Sequence, residues 1–301
     1  MPQIDSSLDL LNSSVAPGLE GGVATVNEVI GYLGPAEEIT LSNGVRVFLK
    51  ATRFQDDEIR IQAIARGGQT EGLSTYGRAV VRYAQMIADE VGQYGAPPSA
   101  MLDLLAGKTV SGSTAIRQYD RVITGSCAPR DLEVALKLIH LLFVSPLTPN
   151  PARIKVLPVG AFEISRETTG MTIKTARVVS GLSCTIFQLQ DVLQYVRDQI
   201  VVSKRDPYAA FGNRVIELNT QGHPFFRPDT LEEIDGLSVD DACAFYRKCF
   251  CDLSEFTFVV VGNLDLAVTR VLVGKYLGGL PTGQGLLPVV RWMLAFLPYQ
   301  R

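Results

Sequence analysis

The chain has 301 residues, 28 Lys and Arg against 31 Asp and Glu, and a net charge of −3 with no basic block. That distribution argues against nucleic acid or an anionic membrane surface as the main partner, since both need clustered cations. Hydrophobic residues at 47% and charged residues at 20% are an ordinary globular balance, with length for one large domain or two ordinary ones.

Residues 1–37 are rich in Gly, Ser, Pro and Ala and weakly periodic, and read as a linker or arm with a short helix over Val26–Leu33. A hairpin follows. Ile39-Thr40-Leu41 leads into Asn43-Gly44, a type I′ turn signal, and Val45, Val47 and Leu49 alternate on the return strand. Ile59, Ile61, Ala63 and Ala65 alternate again up to Gly67-Gly68. The spacing of Val80, Tyr83, Ala84, Ile87 and Val91 predicts a helix over 77–91, and Pro97-Pro98 starts a short second one. Residues 109–117 and 119–127 read as an antiparallel pair. Pro129 opens a helix with an apolar stripe of Leu132, Ala135, Leu136, Ile139, Leu142 and Phe143, and its other face carries Glu133, Lys137 and a solvated His140.

Residues 152–203 have no surviving period and read as an atypical insertion or a disordered stretch, broken by Pro158, Gly160, Gly170 and Gly181. Pro207 starts a helix through Leu218, and a Gly222–Pro228 loop with His223 and Arg227 follows. The most strongly specified segment is 239–264. Val239, Cys243, Ala244, Phe245 and Phe250 form a helical stripe, and Phe256–Val261 is a β-branched and aromatic run suited to the middle of a sheet. A last helix over 265–277 has Leu266, Val268, Val271, Leu272 and Leu277 apolar, and a tail from 282 holds the one tryptophan, Trp292. Clustered antiparallel strands without strict βαβ alternation indicate an α+β fold.

No window reaches the roughly 18 apolar residues of a membrane span. The N-terminus MPQIDSSLDL lacks a signal or transit signature. Five cysteines at irregular spacing read as reduced thiols in an intracellular or organellar compartment. Cys249-x-Cys251 lacks a second pair and is a poor zinc signature. Gly107-Lys108-Thr109 has no glycine where a P-loop begins and follows a helix. The two histidines are too far apart for a helical H-E-x-x-H or H-x-x-E-H site, which needs imidazoles four residues apart.

Several stretches, taken in order, resemble one family. Thr40-Leu41-Ser42-Asn43-Gly44-Val45-Arg46-Val47 is similar to the opening hairpin of a domain of the M16 zinc metallopeptidases, the insulinase, pitrilysin and processing-peptidase group. Ala65-Arg66-Gly67-Gly68, Asp131-Leu132-Glu133-Val134-Ala135-Leu136, Gly222-His223-Pro224 and Val260-Val261-Gly262-Asn263-Leu264-Asp265 resemble later parts of that domain. The resemblance covers 39–281 and is greatest to the third, non-catalytic domain of the large four-domain members, on Asp206–Phe211 and the 49–58 stretch.

The resemblance implies a mostly antiparallel sheet with helices on one face over 38–281, with 1–37 an interdomain linker and 282–301 the start of a missing following segment. It implies a truncated product of a longer protein. The full-length enzymes hold zinc on H-x-x-E-H plus a distant glutamate, and the motif's own glutamate activates water. Here Arg82, Gln85 and Met86 fall at the motif's positions and Glu163 near the distant ligand. An arginine, an amide and a thioether cannot hold Zn²⁺ or act as a general base, so the resemblance implies no cofactor and no catalytic residue in this chain. The implied function is a non-catalytic half-domain that helps enclose a peptide or unfolded-protein substrate, with His223 and Arg227 facing it. Its partner is a catalytic M16 half in the same chain or a separate subunit. The alternatives are a stand-alone inactive homologue that binds a catalytic subunit, and an unrelated α+β binding protein.

Overall fold

A computed structural model describes residues 22–31, 34–96, 98–145, 147, 184–223, 225–280 and 282–283. The chain divides into two compact units, Met1–Leu147 with Asp241–Arg301, and Thr148–Asp240. Elements are numbered along the whole chain. The strands are β1 (Val23–Gly31), β2 (Gly34–Leu41), β3 (Arg46–Ala51), β4 (Ile59–Arg66), β5 (Val110–Ile116), β6 (Asp120–Cys127) and β7 (Thr257–Gly262). The helices are α1 (Gln69–Tyr76), α2 (Arg78–Val91), α3 (Pro98–Leu104), α4 (Leu132–Val144), α5 (Cys184–Ser203), α6 (Pro207–Asn219), α7 (Leu231–Asp235), α8 (Val239–Cys249) and α9 (Leu266–Leu277).

All seven strands form one sheet in the first unit, in the order β1-β2-β3-β7-β4-β6-β5. The aromatic and valine run of β7 takes the central place, parallel to β3 and antiparallel to β4. The other neighbours pair antiparallel. Alternation fixes which face is covered. Ile59, Ile61, Ala63 and Ala65 of β4 are buried, while Arg60, Gln62, Ile64 and Arg66 point the other way. In β7, Phe258 and Val260 are buried and Val259 remains 39% exposed. Burying side chains of this size contributes roughly 1.5–3 kcal/mol each. On the covered face, Ala135, Leu138, Ile139 and Leu142 of α4 and Ile61 and Ile123 of the sheet line one small cavity of about 20 Å³.

The turn between β2 and β3 differs from its sequence signal. A type I′ turn needs positive φ at both central residues, but only Gly44 has it, at 84°. The loop is Ser42-Asn43-Gly44, closed by Leu41 N–H donating to Val45 O at 2.9 Å. The Asn43 side chain explains the difference. Its Nδ2 donates to Leu277 O at 2.8 Å and Leu280 O at 3.1 Å, and its Oδ1 accepts from Val45 N–H at 3.3 Å. Holding the end of α9 in this way commits Asn43 to a tertiary role.

Five further expectations are corrected. The helix expected at 26–33 is strand through Gly31, because Val26, Val29 and Ile30 belong to a β-branched set that pairs with β2. The residues read as an arm up to 37 therefore contribute two strands from Val23 onward. In α8 the inward face carries Ala242, Cys243, Phe245, Tyr246 and Cys249, and Ala244 is exposed. In α9 the buried positions include Thr269, Val273, Gly274, Tyr276 and Leu277, while Val268 and Val271 face out. That helix is apolar around most of its circumference, so close approach decides its orientation. A Cβ on Gly274 would stand 3.4 Å from Gly22 Cα. Finally, His140 is half-buried, with Nδ1 2.7 Å from Tyr276 O and its ring edge-on to Tyr276.

The second unit contains α5, α6 and α7. The part of 152–203 that is described, from Cys184, is a 20-residue helix, not an insertion without structure. The glycines and Pro158 that broke the pattern all precede it. Arg197 of α5 pairs with Asp235 of α7 at 2.8 Å. α6 starts with Pro207 after Asp206, whose Oδ1 accepts from Tyr208 N–H. α7 opens on a capping box between Thr230 and Glu233. Residues 1–21, Glu163, the rest of 148–183 and Trp292 with its tail lie outside the described residues.

Candidate functional site

α2 packs Ala79, Val80, Val81, Ala84, Ile87 and Ala88 into the core. Arg82, Gln85 and Met86 lie at i, i+3 and i+4 and so share one face. Arg82 is half-buried and Met86 is 36% exposed. The Gln85 amide donates to Asp89 Oδ1 at 2.9 Å and to Thr114 Oγ1 of β5 at 2.8 Å. Thr114 Oγ1 donates to Gln93 Oε1 at 2.9 Å and lies 2.9 Å from the Tyr246 hydroxyl, which donates to the same Gln93 oxygen at 2.6 Å. Burial raises the Tyr246 phenol well above its ordinary range and Tyr94 to about 12, so both stay neutral.

This polar set bolts α2 to the edge strand β5 and to α8, and it does not fit a zinc ion. Arginine offers no lone pair, and the amide nitrogen of Gln85 is committed to two acceptors. Its Oε1 is buried without a hydrogen-bond partner, leaving one weak neutral donor atom where a divalent cation needs several. Among the described residues, no group of three or more His, Cys, Asp and Glu is placed to hold a metal. Burial pushes the Cys127 and Cys249 thiols up to about 12, so both are protonated at neutral pH. Cys251 donates to Lys248 O at 3.2 Å.

His223 and Arg227 share one loop of the second unit. His223 Nδ1 accepts from Phe225 N–H at 3.2 Å, and its ring meets Phe226 edge-on. Arg227 is exposed and bidentate to Glu233, at 2.6 Å to Oε1 and 3.1 Å to Oε2. The same Glu233 caps α7, so Arg227 also braces its own loop.

Sequence reasoning had no signal for the place of β5. Ser111, Gly112, Ser113 and Thr114 at its centre are small or polar, and only the strand order puts it at an edge of the sheet. Arg117 N–H donates to Asp120 O and Ala128 N–H to Thr109 O. Alternation from those pairs turns the N–H and C=O of Gly112 and Thr114 away from β6. On the sheet's other face, Arg60, Gln62, Ser111, Ser113, Thr124 and Ser126 line a concave surface of about 470 Å³. Hydroxyl pairs Ser111–Ser126 and Ser113–Thr124 cross it at 2.9 and 2.7 Å.

No protein-family model matches the chain. It is 30% identical over 244 residues to a zinc protease PQQL-like protein of Arabidopsis thaliana, matching 81% of this chain and 19% of that protein. The chain thus spans about a fifth of the curated relative it matches. Among solved structures, the periplasmic protease PqqL from Escherichia coli superposes with a TM-score of 0.62 at 17% identity, over 88% of this chain and 25% of that one. The peptidase M16 inactive domain from Pseudomonas fluorescens gives 0.53 at 13% identity, over 87% and 52%.

Proposed function

This chain has an M16 family peptidase-like fold, and from that premise we propose that it is a non-catalytic domain of an M16-type zinc metalloendopeptidase, one that helps enclose and bind peptide while the metal is carried elsewhere. The observation that carries the reading is the triplet Arg82, Gln85 and Met86 on α2, with the amide of Gln85 bonded into Thr114 and Asp89. The helix acts as a brace for β5. Zinc, where a catalytic domain binds it, supplies the Lewis acid and the activated water. This chain's residues supply a wall and a binding edge. The outward N–H and C=O of Gly112 and Thr114 suit an extended peptide added as a further strand, and the His223–Arg227 loop offers an imidazole and a guanidinium.

The test has two arms. The purified 301-residue chain is expected to carry no stoichiometric zinc by elemental analysis and to cleave no unfolded peptide. Peptide hydrolysis by the chain alone, abolished by a chelator, would reject the reading. In an assembly with its catalytic domain, His223→Ala is expected to raise KM roughly fivefold with kcat unchanged, the size of one lost hydrogen bond. An unchanged KM rejects the substrate-facing place of that loop.

A second reading, a separate inactive subunit that docks on a catalytic one, is favoured by the likeness to a solved inactive domain covered over half its length. Co-purification with a distinct protein bearing H-x-x-E-H supports it, and a monodisperse monomer in the presence of such a protein counts against it.

A further inference from the structure

β1 ends the sheet on the side away from β5. It is nine residues long, VATVNEVIG, with one charged residue, Glu28, and neither lysine nor proline. Edge strands are ordinarily kept short or blunted by such residues, because their unpaired backbone groups template pairing with another chain. Val26 and Ile30 are 44% and 83% exposed.

The register tells which backbone groups are open. Ile30 stands opposite Pro35, which has no N–H, so that pair is not hydrogen-bonded across the hairpin. Alternation makes Glu28↔Glu37 and Val26↔Ile39 pairs of the same kind. The N–H and C=O of Val26, Glu28 and Ile30 therefore point to the open edge. The side chains of these three share the face of Ile39 and Glu37, where Arg270 of α9 meets Glu37 at 2.5 Å. On α9, Gly274 adjoins Gly22 and Val23. Val271, three residues earlier and so about 60° round the helix, is 69% exposed.

We propose that β1 is the contact through which two copies of this chain associate, antiparallel and two-fold, joining their sheets edge to edge. Pairing centred on Asn27 accounts for the charge. It sets each Glu28 opposite Val26 of the second copy and each Thr25 opposite its Val29, so the two Glu28 carboxylates are not placed directly opposite one another across the joint. The outward backbone groups of Val26 and Glu28 exchange hydrogen bonds across the two-fold. Val26 and Ile30 of both copies then lie on the helical face of the joint, to either side of the Glu28 carboxylates. This association stands independently of any peptide-binding role, since the other edge, β5, stays open.

Sedimentation equilibrium of the full chain tests it. The expected mass is that of two copies, halved by Glu28→Pro. Proline there removes only an N–H that points away from β2, so the hairpin ladder and the circular dichroism spectrum are expected to persist. Val26→Lys with Ile30→Lys is expected to halve the mass without touching the backbone. A wild-type chain that stays monomeric at every accessible concentration overturns the proposal, as does a dimer that both variants leave intact.

Discussion

Arg121→Ala is expected to lower the unfolding free energy by about 3–5 kcal/mol, the range for stripping one partner from a buried charge pair. Arg121 is 1% exposed. Its Nη1 donates to Cys249 O at 2.6 Å, and its Nη2 donates to Arg66 O at 2.6 Å and to Glu255 Oε2 at 2.5 Å. The guanidinium also lies 5.4 Å from the Phe256 ring centroid. One side chain of β6 thus holds the end of β4, the end of α8 and the approach to β7. Without it, two backbone carbonyls lose their donor and Glu255 loses its cation. Burial already raises the Glu71 carboxyl above the ordinary range, opposed chiefly by the charge of Arg121. A carboxyl with a raised folded-state value favours the folded state at low pH and loses that contribution as pH rises through its titration. The deficit of Arg121→Ala is therefore expected to shrink on acidification from neutral pH through the Glu71 range. Urea titrations at two pH values measure both effects. A loss under 1 kcal/mol at neutral pH would refute the bracing role.

Gly262→Ala is expected to cost on the order of 3 kcal/mol, through strain and overpacking together. Gly262 has φ of 145°, and an added Cβ would lie 2.4 Å from Glu58 O and 2.7 Å from Ile59 Cα. Both obstacles are backbone, which cannot rotate aside. Gly44→Ala is the control. It also has positive φ, but nothing lies within 4 Å of its Cβ position, so it is expected to cost only about 1 kcal/mol. Thermal melts of the two variants compare them directly. Equal losses would mean that close approach at Gly262 contributes nothing.

Much of the fold was legible because its signals are local. The alternation of β4, the valine run of β7 and the stripe of α4 each follow from neighbours two to four residues apart. Where expectation failed, a distant contact decided. Asn43-Gly44 has the composition of one turn and adopts another, because Asn43 reaches carbonyls more than two hundred residues away. α9 presents apolar residues on most sides, and Gly274 rather than Val268 or Val271 marks the buried one. The Gly- and Ser-rich N-terminal stretch hid a hairpin that only pairing reveals. At the candidate site, the positions on α2 came from the register that the family resemblance implies. The hydroxyl and amide set that bonds Gln85 to β5 joins residues up to 153 positions apart and leaves no local pattern. The edge positions of β1 and β5 are properties of strand order, which no window of sequence contains.

The central place of β7 has a consequence for biosynthesis. β3 and β4 are consecutive in the chain yet do not touch as neighbours; residues 257–262 slot between them, about two hundred positions later. Until the ribosome has released those residues, the nascent chain holds two half-sheets, each with a raw inner margin. Closure over so long a separation is slow, and the waiting margins are the surfaces on which unfinished chains aggregate. A released chain that ends just short of Phe256 would therefore keep both inner margins open, while one that ends past Gly262 has the strand that closes the sheet.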